Sequence, residues 1–452
     1  MVERNNQFEQ FLTETYWKRF NQMIAFLRAN GLKTPLADQN MGTTLKLAQM
    51  RNAYDYADTH AYINHPVFPR NSWKLPSVSI QNSAIASGHP VPYFIAPSRL
   101  FGKPYAITEW DYAYPNKFRA EGAPIIGAYA GLQGWDMLVQ FAYSHGQERL
   151  MGKTDVQGNY FDVAADPIKN LSLRIGGALF SQDGIRPAEK AFVVRLNDSG
   201  FIPFDYPFNF QLTNLARIAR VGVLVNSKEF PAGTAAVLNP GTAFPKDSPA
   251  GIPVFDAAPG KDNLIENIIK AGLLDRKAFD RKAQFTRSLD GSIEMNRQKE
   301  TFHAISPVCE VFVLPAGKSG NGSFLSVKNV SGRGVIAALS AENAPLRSAE
   351  RILLLHLTDS HRTKARFSAP DMRQLENWGT FPYLAQRGEA EIMLKPQKGE
   401  YQLFAVNSAG KTLGEIPLNK QADGSIKAVL RVFQPFGQVF AYELKKISSK
   451  EK

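Results

Sequence analysis

Between residues 57 and 182 the chain alternates β-prone apolar runs with helical stretches, and polar or aromatic residues gather where each run ends. The runs lie in "DYADTHAYINHP" (55–66), "KPYAITEWDYAYPN" (103–116) and "GWDMLVQFAYSH" (134–145). The helices read as "AEGAPIIGAYAGLQG" (120–134) and "DPIKNLSLRIGGALFSQ" (166–182), the second opened by Asp166-Pro167. Repetition of this kind builds parallel strands covered by helices. The residues at the run ends are Asp38-Gln39-Asn40, then Asp58, His60 and Tyr62, then Glu109, then Gln140, Tyr143 and His145. In a parallel β/α barrel the βα loops converge on one mouth at the C-terminal strand ends, and chemistry sits there.

On the N-terminal side, residues 8–28 read as an amphipathic helix. Phe8, Phe11, Leu12, Tyr16, Phe20, Met23, Ile24 and Leu27 recur at three- and four-residue spacing, and Asn30-Gly31 stops it. "KTPLADQNMG" (33–42) is extended, and "TTLKLAQMRNAY" after it is helical. Residues 183–285 are expected as an irregular connecting region with one helix, "NLIENIIKAGLLDRKAFDRKAQF". From 286 to 447 the character changes. "CEVFVLP", "SFLSVKNV", "GVIAALSA", "RILLLHLTD", "AEIMLK", "YQLFAVN", "IKAVLRVF" and "QVFAYELKK" are short strands parted by Gly, Asn and Lys turns, the pattern of an all-β sandwich.

Composition narrows the field. A chain of 452 residues has room for two to four domains at roughly 100–200 residues each. Its single cysteine, Cys309, excludes an intrachain disulfide and a cysteine-rich metal site, and its strand context makes it a core residue. No apolar run reaches the ~18–20 residues that span a bilayer. "MVERNNQFEQ" has no apolar segment of the kind found in a signal peptide. The net charge of +12 raises nucleic acid as a partner, but Lys and Arg are scattered and no nucleic-acid motif is present. Neither a nucleic-acid nor a membrane partner is expected, and no cofactor.

With these residues in view, 1–182 resembles the second half of the retaining glycoside hydrolases built on an eight-stranded β/α barrel, the clan of cellulases, β-galactosidases and agarases. "PYAITEW" is similar to the seventh strand, which carries the clan's nucleophile; the resemblance implies Glu109. "DTHAYINHP" is similar to the sixth strand, and implies His60 and Tyr62 beside that nucleophile. "GWDMLVQFAYSH" is similar to the eighth, where an aromatic floors the sugar site. The fold class implied is α/β: a partial TIM-type β/α barrel (1–182), a connecting region (183–285) and an accessory β-sandwich domain (286–447).

The chemistry suits the residue types. Retaining hydrolysis uses two carboxyl groups about 5–5.5 Å apart, one a nucleophile and one a general acid/base. A nucleophile that stays ionised wants donors such as Tyr62 or His60. Flat aromatics suit the C–H faces of pyranose rings, so Trp110, Trp135 and Tyr143 join Asn40 as candidate sugar contacts. Tyr112 and Tyr114 are weighed with them, against the plainer alternative that such aromatics pack the βα loop.

The clan's acid/base is the Glu of an Asn-Glu pair ending the fourth strand. Counting back from Glu109 places that strand end near residues 1–8, where Asn6-Gln7 stands instead. Gln7 does not titrate and so cannot act as the acid; otherwise Glu3 or Glu9 serves. Three barrel strands are also unaccounted for. The expectation is a C-terminal fragment, one half of a split enzyme met by a partner chain, or a barrel completed by 183–285. Two other functions compete: a catalytically silent carbohydrate-binding or scaffold protein, and a metal-dependent hydrolase using Asp58, His60 and His145.

Overall fold

The computed structural model describes residues 2–37, 40–63, 65–87, 94–150, 158–197, 201–241, 244–342 and 344–447. The chain mixes helices with parallel and antiparallel sheets. Helix α1 (Val2–Ala29) starts six residues ahead of the amphipathic pattern. One apolar stripe of α1 packs inward, with Phe20 stacked on Tyr16 and against Tyr54. A neighbouring stripe, Phe8, Phe11, Leu12, Met23 and Phe26, is exposed. Helix α2 (Leu45–Arg51) is capped by the Thr44 hydroxyl, which accepts from Leu47 N–H.

The alternating region folds as expected into a parallel sheet. Strand β1 (Ala57–Ile63), a two-residue β2 (Ser77–Val78), β3 (Tyr105–Tyr112) and β4 (Met137–Gln140) follow in turn. β3 lies between β1 and β4, parallel to both. Leu36 and Asn40 flank the start and middle of β1 in the same order along the chain. Asp55 N–H donates to Leu36 C=O, and His60 N–H to Asn40 C=O. β4 is half exposed rather than buried, because it is the sheet edge and turns Met137 and Val139 to solvent.

Helices α3 (Gly122–Gln133), a short α4 (Gln147–Leu150) and α5 (Pro167–Phe180) complete this half. Every residue of α3 is buried. A helix apolar all round must be covered on all sides. It shares one core with the strands β1 and β3, and Tyr129 meets Phe302 of the C-terminal sheet. Small residues let α3 and α5 touch backbone to backbone: a Cβ on Gly127 would stand 2.3 Å from Gly176 O. Asp166 caps α5 by accepting from Ile168 N–H and Lys169 N–H, with Pro167 in the first turn.

Residues 183–285 are not irregular. Strands β5 (Ala191–Leu196), β6 (Arg220–Val225), β7 (Thr234–Asn239) and β8 (Val254–Asp256) form a parallel sheet ordered β6-β5-β7-β8, with helices α6 (Gln211–Leu215) and α7 (Leu264–Lys270). "AFVVRL" and "RVGVLV" are continuous apolar runs without alternation, as strands buried on both faces require. Long Pro-containing connections hid them. This sheet is distinct from β1-β3-β4, and residues 99–101, just ahead of β3, bridge in parallel to Val223 of β6.

The C-terminal region is dominated by a ten-stranded antiparallel sheet. It begins at Phe279–Asp280, before the expected boundary at 286. One face, with Val311, Val313, Ala337, Leu339 and Leu355, shares a core with α3 and α5. The other, with Phe312, Ile336 and Leu354, packs on a five-stranded antiparallel sheet through Val327, Ile392 and Leu430. Because both faces are covered, Cys309–Leu314 is buried at every residue. The core is therefore continuous from the parallel strands into the antiparallel sheet.

His356 is buried between those two antiparallel sheets. Burial, opposed by the Leu430 backbone and by Glu389, pushes its pKa from the ordinary 6.5 down to about 4. Between these values the unfolded chain takes up a proton that the folded one refuses. His356 thus contributes stability that is full above about pH 6.5 and lost as pH falls toward 4, a span of about 3 kcal/mol. Urea unfolding at pH 7 and pH 4.5 should show a steeper loss for the native chain than for His356→Leu. Equal losses would mean that His356 is not the group responsible.

Candidate functional site

The site is built at the C-terminal ends of β1 and β3. In β1, alternation turns Ala57, Thr59, Ala61 and Ile63 one way and Asp58, His60 and Tyr62 the other. Ala57, Ala61 and Ile63 enter the core shared with the helices. Strand β3 follows the same rule until a bulge. Thr59 pairs with Ile107, but His60 pairs with Glu109, so Thr108 is an extra residue. Tyr105 and Ile107 face the helices; after the bulge, so do Trp110 and Tyr112. Under unbroken alternation Glu109 would share the side of Tyr105 and Ile107. The extra residue turns its carboxylate toward His60 and Tyr62 instead.

The Tyr62 hydroxyl donates to Glu109 Oε2 in a short hydrogen bond. His60 Nδ1 lies 3.3 Å from the same oxygen. The other ring nitrogen, Nε2, is 2.8 Å from Thr108 Oγ1, which lies 2.7 Å from both oxygens of Asp58. Asp58, Thr108, His60, Glu109 and Tyr62 form one continuous network. Within it the Glu109 side chain is 34% exposed, against 10% for Asp58 and 12% for His60. Burial, reinforced by the bond to Glu109, pushes the Tyr62 hydroxyl well above its ordinary pKa, so it remains a donor.

Two residues further along β3, Asp111 is fully buried and bonded to Lys169 Nζ at 2.5 Å and Gln140 Nε2 at 2.8 Å. Burial pushes its pKa up to about 6 in spite of Lys169. It braces the strand end and has no access to a ligand.

Of the expected site residues, the structure brings together Glu109, His60, Tyr62 and Asn40, whose carbonyl receives His60 N–H. Asp38 and Gln39 lie outside the described residues. Trp110 does not join them. The bulge turns it to the helix side, where it is 2% exposed. Tyr112 and Tyr114 are buried as well, so the packing alternative holds for them. Trp135 is 5% exposed and packs on Tyr105, at the opposite end of the sheet from Glu109. Tyr143 is exposed beyond β4, but the ring from that segment that meets Tyr62 is Phe141.

Asn6 and Gln7 occupy the second turn of α1, and Gln7 is exposed. They do not end a strand, so the strand count that gave Gln7 the acid position is corrected. The physical reason is local: no Gly or Pro precedes Phe8, and the helix extends N-terminally through both residues. Glu9 stands in the same helix, where its carboxylate receives Phe204 N–H. His145 pairs with buried Asp162, Nδ1 to Oδ1 at 2.5 Å, rather than with Asp58 and His60. Among the described residues no cluster of three His, Cys, Asp or Glu is placed to hold a metal ion.

Set against models of protein families, curated proteins and solved structures, the chain gives no match. The functional reading rests on the site itself.

Proposed function

We propose that the chain carries the nucleophile side of a retaining glycoside hydrolase site, with Glu109 as nucleophile, on part of a TIM-type β/α barrel braced by an accessory β-sandwich. One observation carries this reading: Tyr62 and His60 converge on Oε2 of a partly exposed carboxylate at a strand end. Held through Oε2, the carboxylate presents Oε1 to an anomeric carbon. The two contacts fix its direction.

The barrel part of the reading is supported by strand order. β1, β3 and β4 are neighbours in chain order and all parallel, and Leu36 and Asn40 accept from Asp55 and His60 on the free side of β1. Right-handed crossovers that step always the same way keep their helices on one side, as in a barrel. The flanks bear apolar surface: Met137 and Val139 on β4, and the exposed stripe of α1. Further β/α units docking there, from a partner chain or the same polypeptide, would complete the barrel and bring the general acid.

A second reading, a sugar-binding protein without turnover, is favoured by the state of the neighbouring acids. Asp58 and Asp111 are both buried in bonds and unavailable as proton donors. A mechanism-based label separates the two. A 2,4-dinitrophenyl 2-deoxy-2-fluoro-β-glycoside, tried as the galactoside and the glucoside, needs no protonation of its leaving group. Intact-mass and peptide analysis should place one fluorosugar on Glu109. An unlabelled chain, or a label elsewhere, would remove Glu109 from the nucleophile's role.

A further inference from the structure

The chain holds five tryptophans, and among the described residues only Trp73 is more than half exposed, at 57%. It sits at the tip of a short hairpin after β1. Val67 and Val78 exchange both backbone hydrogen bonds, at 2.8 and 2.7 Å, and close the base. β2 is in turn tied to the antiparallel region, Ser77 opposite Leu375. Trp73 has φ +62, a left-handed conformation that bulky residues rarely adopt. An open indole and a strained backbone on one residue both work against folding, and such strain collects at ligand sites.

The ring is not loose. It meets Phe68 at 5.0 Å, His65 at 5.7 Å and Phe161 at 6.3 Å between centroids. His65 lies 5.7 Å from Tyr62, whose hydroxyl is bonded to Glu109. A chain of contacts thus runs from the exposed indole to the carboxylate. The rest of the tip is polar: Arg70, Asn71, Ser72 and Lys74 are all exposed. At the tip one flat apolar ring stands fenced by polar side chains, with the hairpin's other exposed apolar residues, Val67 and Ile80, set back at its base. It suits a pyranose, which offers a C–H face to the ring and hydroxyls to its rim.

We propose that Trp73 is a stacking platform for a saccharide ring, in a subsite next to the one served by Glu109, so that the ligand is a glycan of two or more residues. The inference rests on the glycosidase reading for its choice of ligand. Trp73 is a binding residue, preorganised by the anchored hairpin.

The probes are cellohexaose, mannohexaose and neoagarohexaose, titrated by calorimetry and by iodide quenching of tryptophan fluorescence, which reports on the exposed indole. At least one hexasaccharide should shield Trp73 saturably. Trp73→Ala should weaken its binding by about ten-fold or more, and Trp73→Phe should restore most of it. Trp73→Asn, at ease with a positive φ, should lose binding while unfolding no earlier than the native chain. Shielding by none of the three, or unchanged binding in Trp73→Ala, would overturn the platform. If Glu109 resists the fluorosugar while binding remains Trp73-dependent, the hydrolase falls and the platform stands. If Glu109 is labelled and Trp73→Ala binds normally, the reverse holds.

Discussion

Glu109→Gln should lower turnover of an activated aryl glycoside on the order of 10³-fold or more, while saccharide binding changes only a few-fold. The amide keeps the shape and can still accept the Tyr62 hydroxyl through its oxygen, but it cannot form the glycosyl ester. Tyr62→Phe tests the same point from the other side. It removes a hydrogen bond to a charged group, worth about 1.5–3 kcal/mol, and should slow the first chemical step about 10- to 100-fold. The two losses should not add, since Tyr62 acts through Glu109. Steady-state rates on a dinitrophenyl glycoside check both. Near-native turnover in Glu109→Gln would sink the nucleophile assignment, and fully additive losses would sink the coupling.

What could be read beforehand follows from which forces act locally. "ADTHAYI" alternates strictly, so the common face of Asp58, His60 and Tyr62 is legible from the period alone. "YAITEWDY" looks equally regular, yet one unpaired residue reverses its facing midway. Nothing in those letters marks Thr108 as the bulge. The placement of Trp110 beside the sugar failed for that reason, while Glu109 reached the open side because of it. Trp73 carries no signal in the letters, because the Pro- and Ser-containing stretch around it has no period; its environment comes from His65, Phe68 and Phe161, which only the fold assembles. Gln7 was placed by counting strands, and a count inherits every error at a helix end. The ten-stranded sheet starts at Phe279, ahead of 286, for a different reason. Strand periodicity tells which residues alternate, but not that both faces of the ten-stranded sheet are buried, one of them against α3 and α5.

That shared core has a charged fastener, and removing it should produce the largest loss of stability. Arg119, just before α3, is fully buried. Its Nε lies 2.6 Å from Asp166 at the cap of α5, its Nη1 2.5 Å from Asp359, and its Nη2 2.7 Å from the Ser360 carbonyl. Asp359 and Ser360 follow strand Arg351–Leu357 of the ten-stranded sheet, so one guanidinium joins the β/α layer to the antiparallel layer. Burial works against its charge, but Asp166 and Asp359 outweigh that and raise its pKa. Burial likewise opposes ionised Asp359, and Arg119 and His361 overcome it, holding its carboxyl below the ordinary range. Arg119→Met leaves two buried carboxylates facing a side chain that cannot answer them. The expected cost is about 3–5 kcal/mol in urea unfolding. Arg119→Lys keeps the charge but not the fork that reaches both acids, and should fall between. The decisive variant combines Arg119→Met with Asp166→Asn and Asp359→Asn. Asn still caps α5, and neither amide needs a counter-charge. If the loss comes from uncompensated charge, this triple variant should be more stable than Arg119→Met alone. If it is equally unstable, the junction is held by packing around Tyr114, whose ring lies 5.2 Å from the guanidinium carbon, and not by the ion pairs.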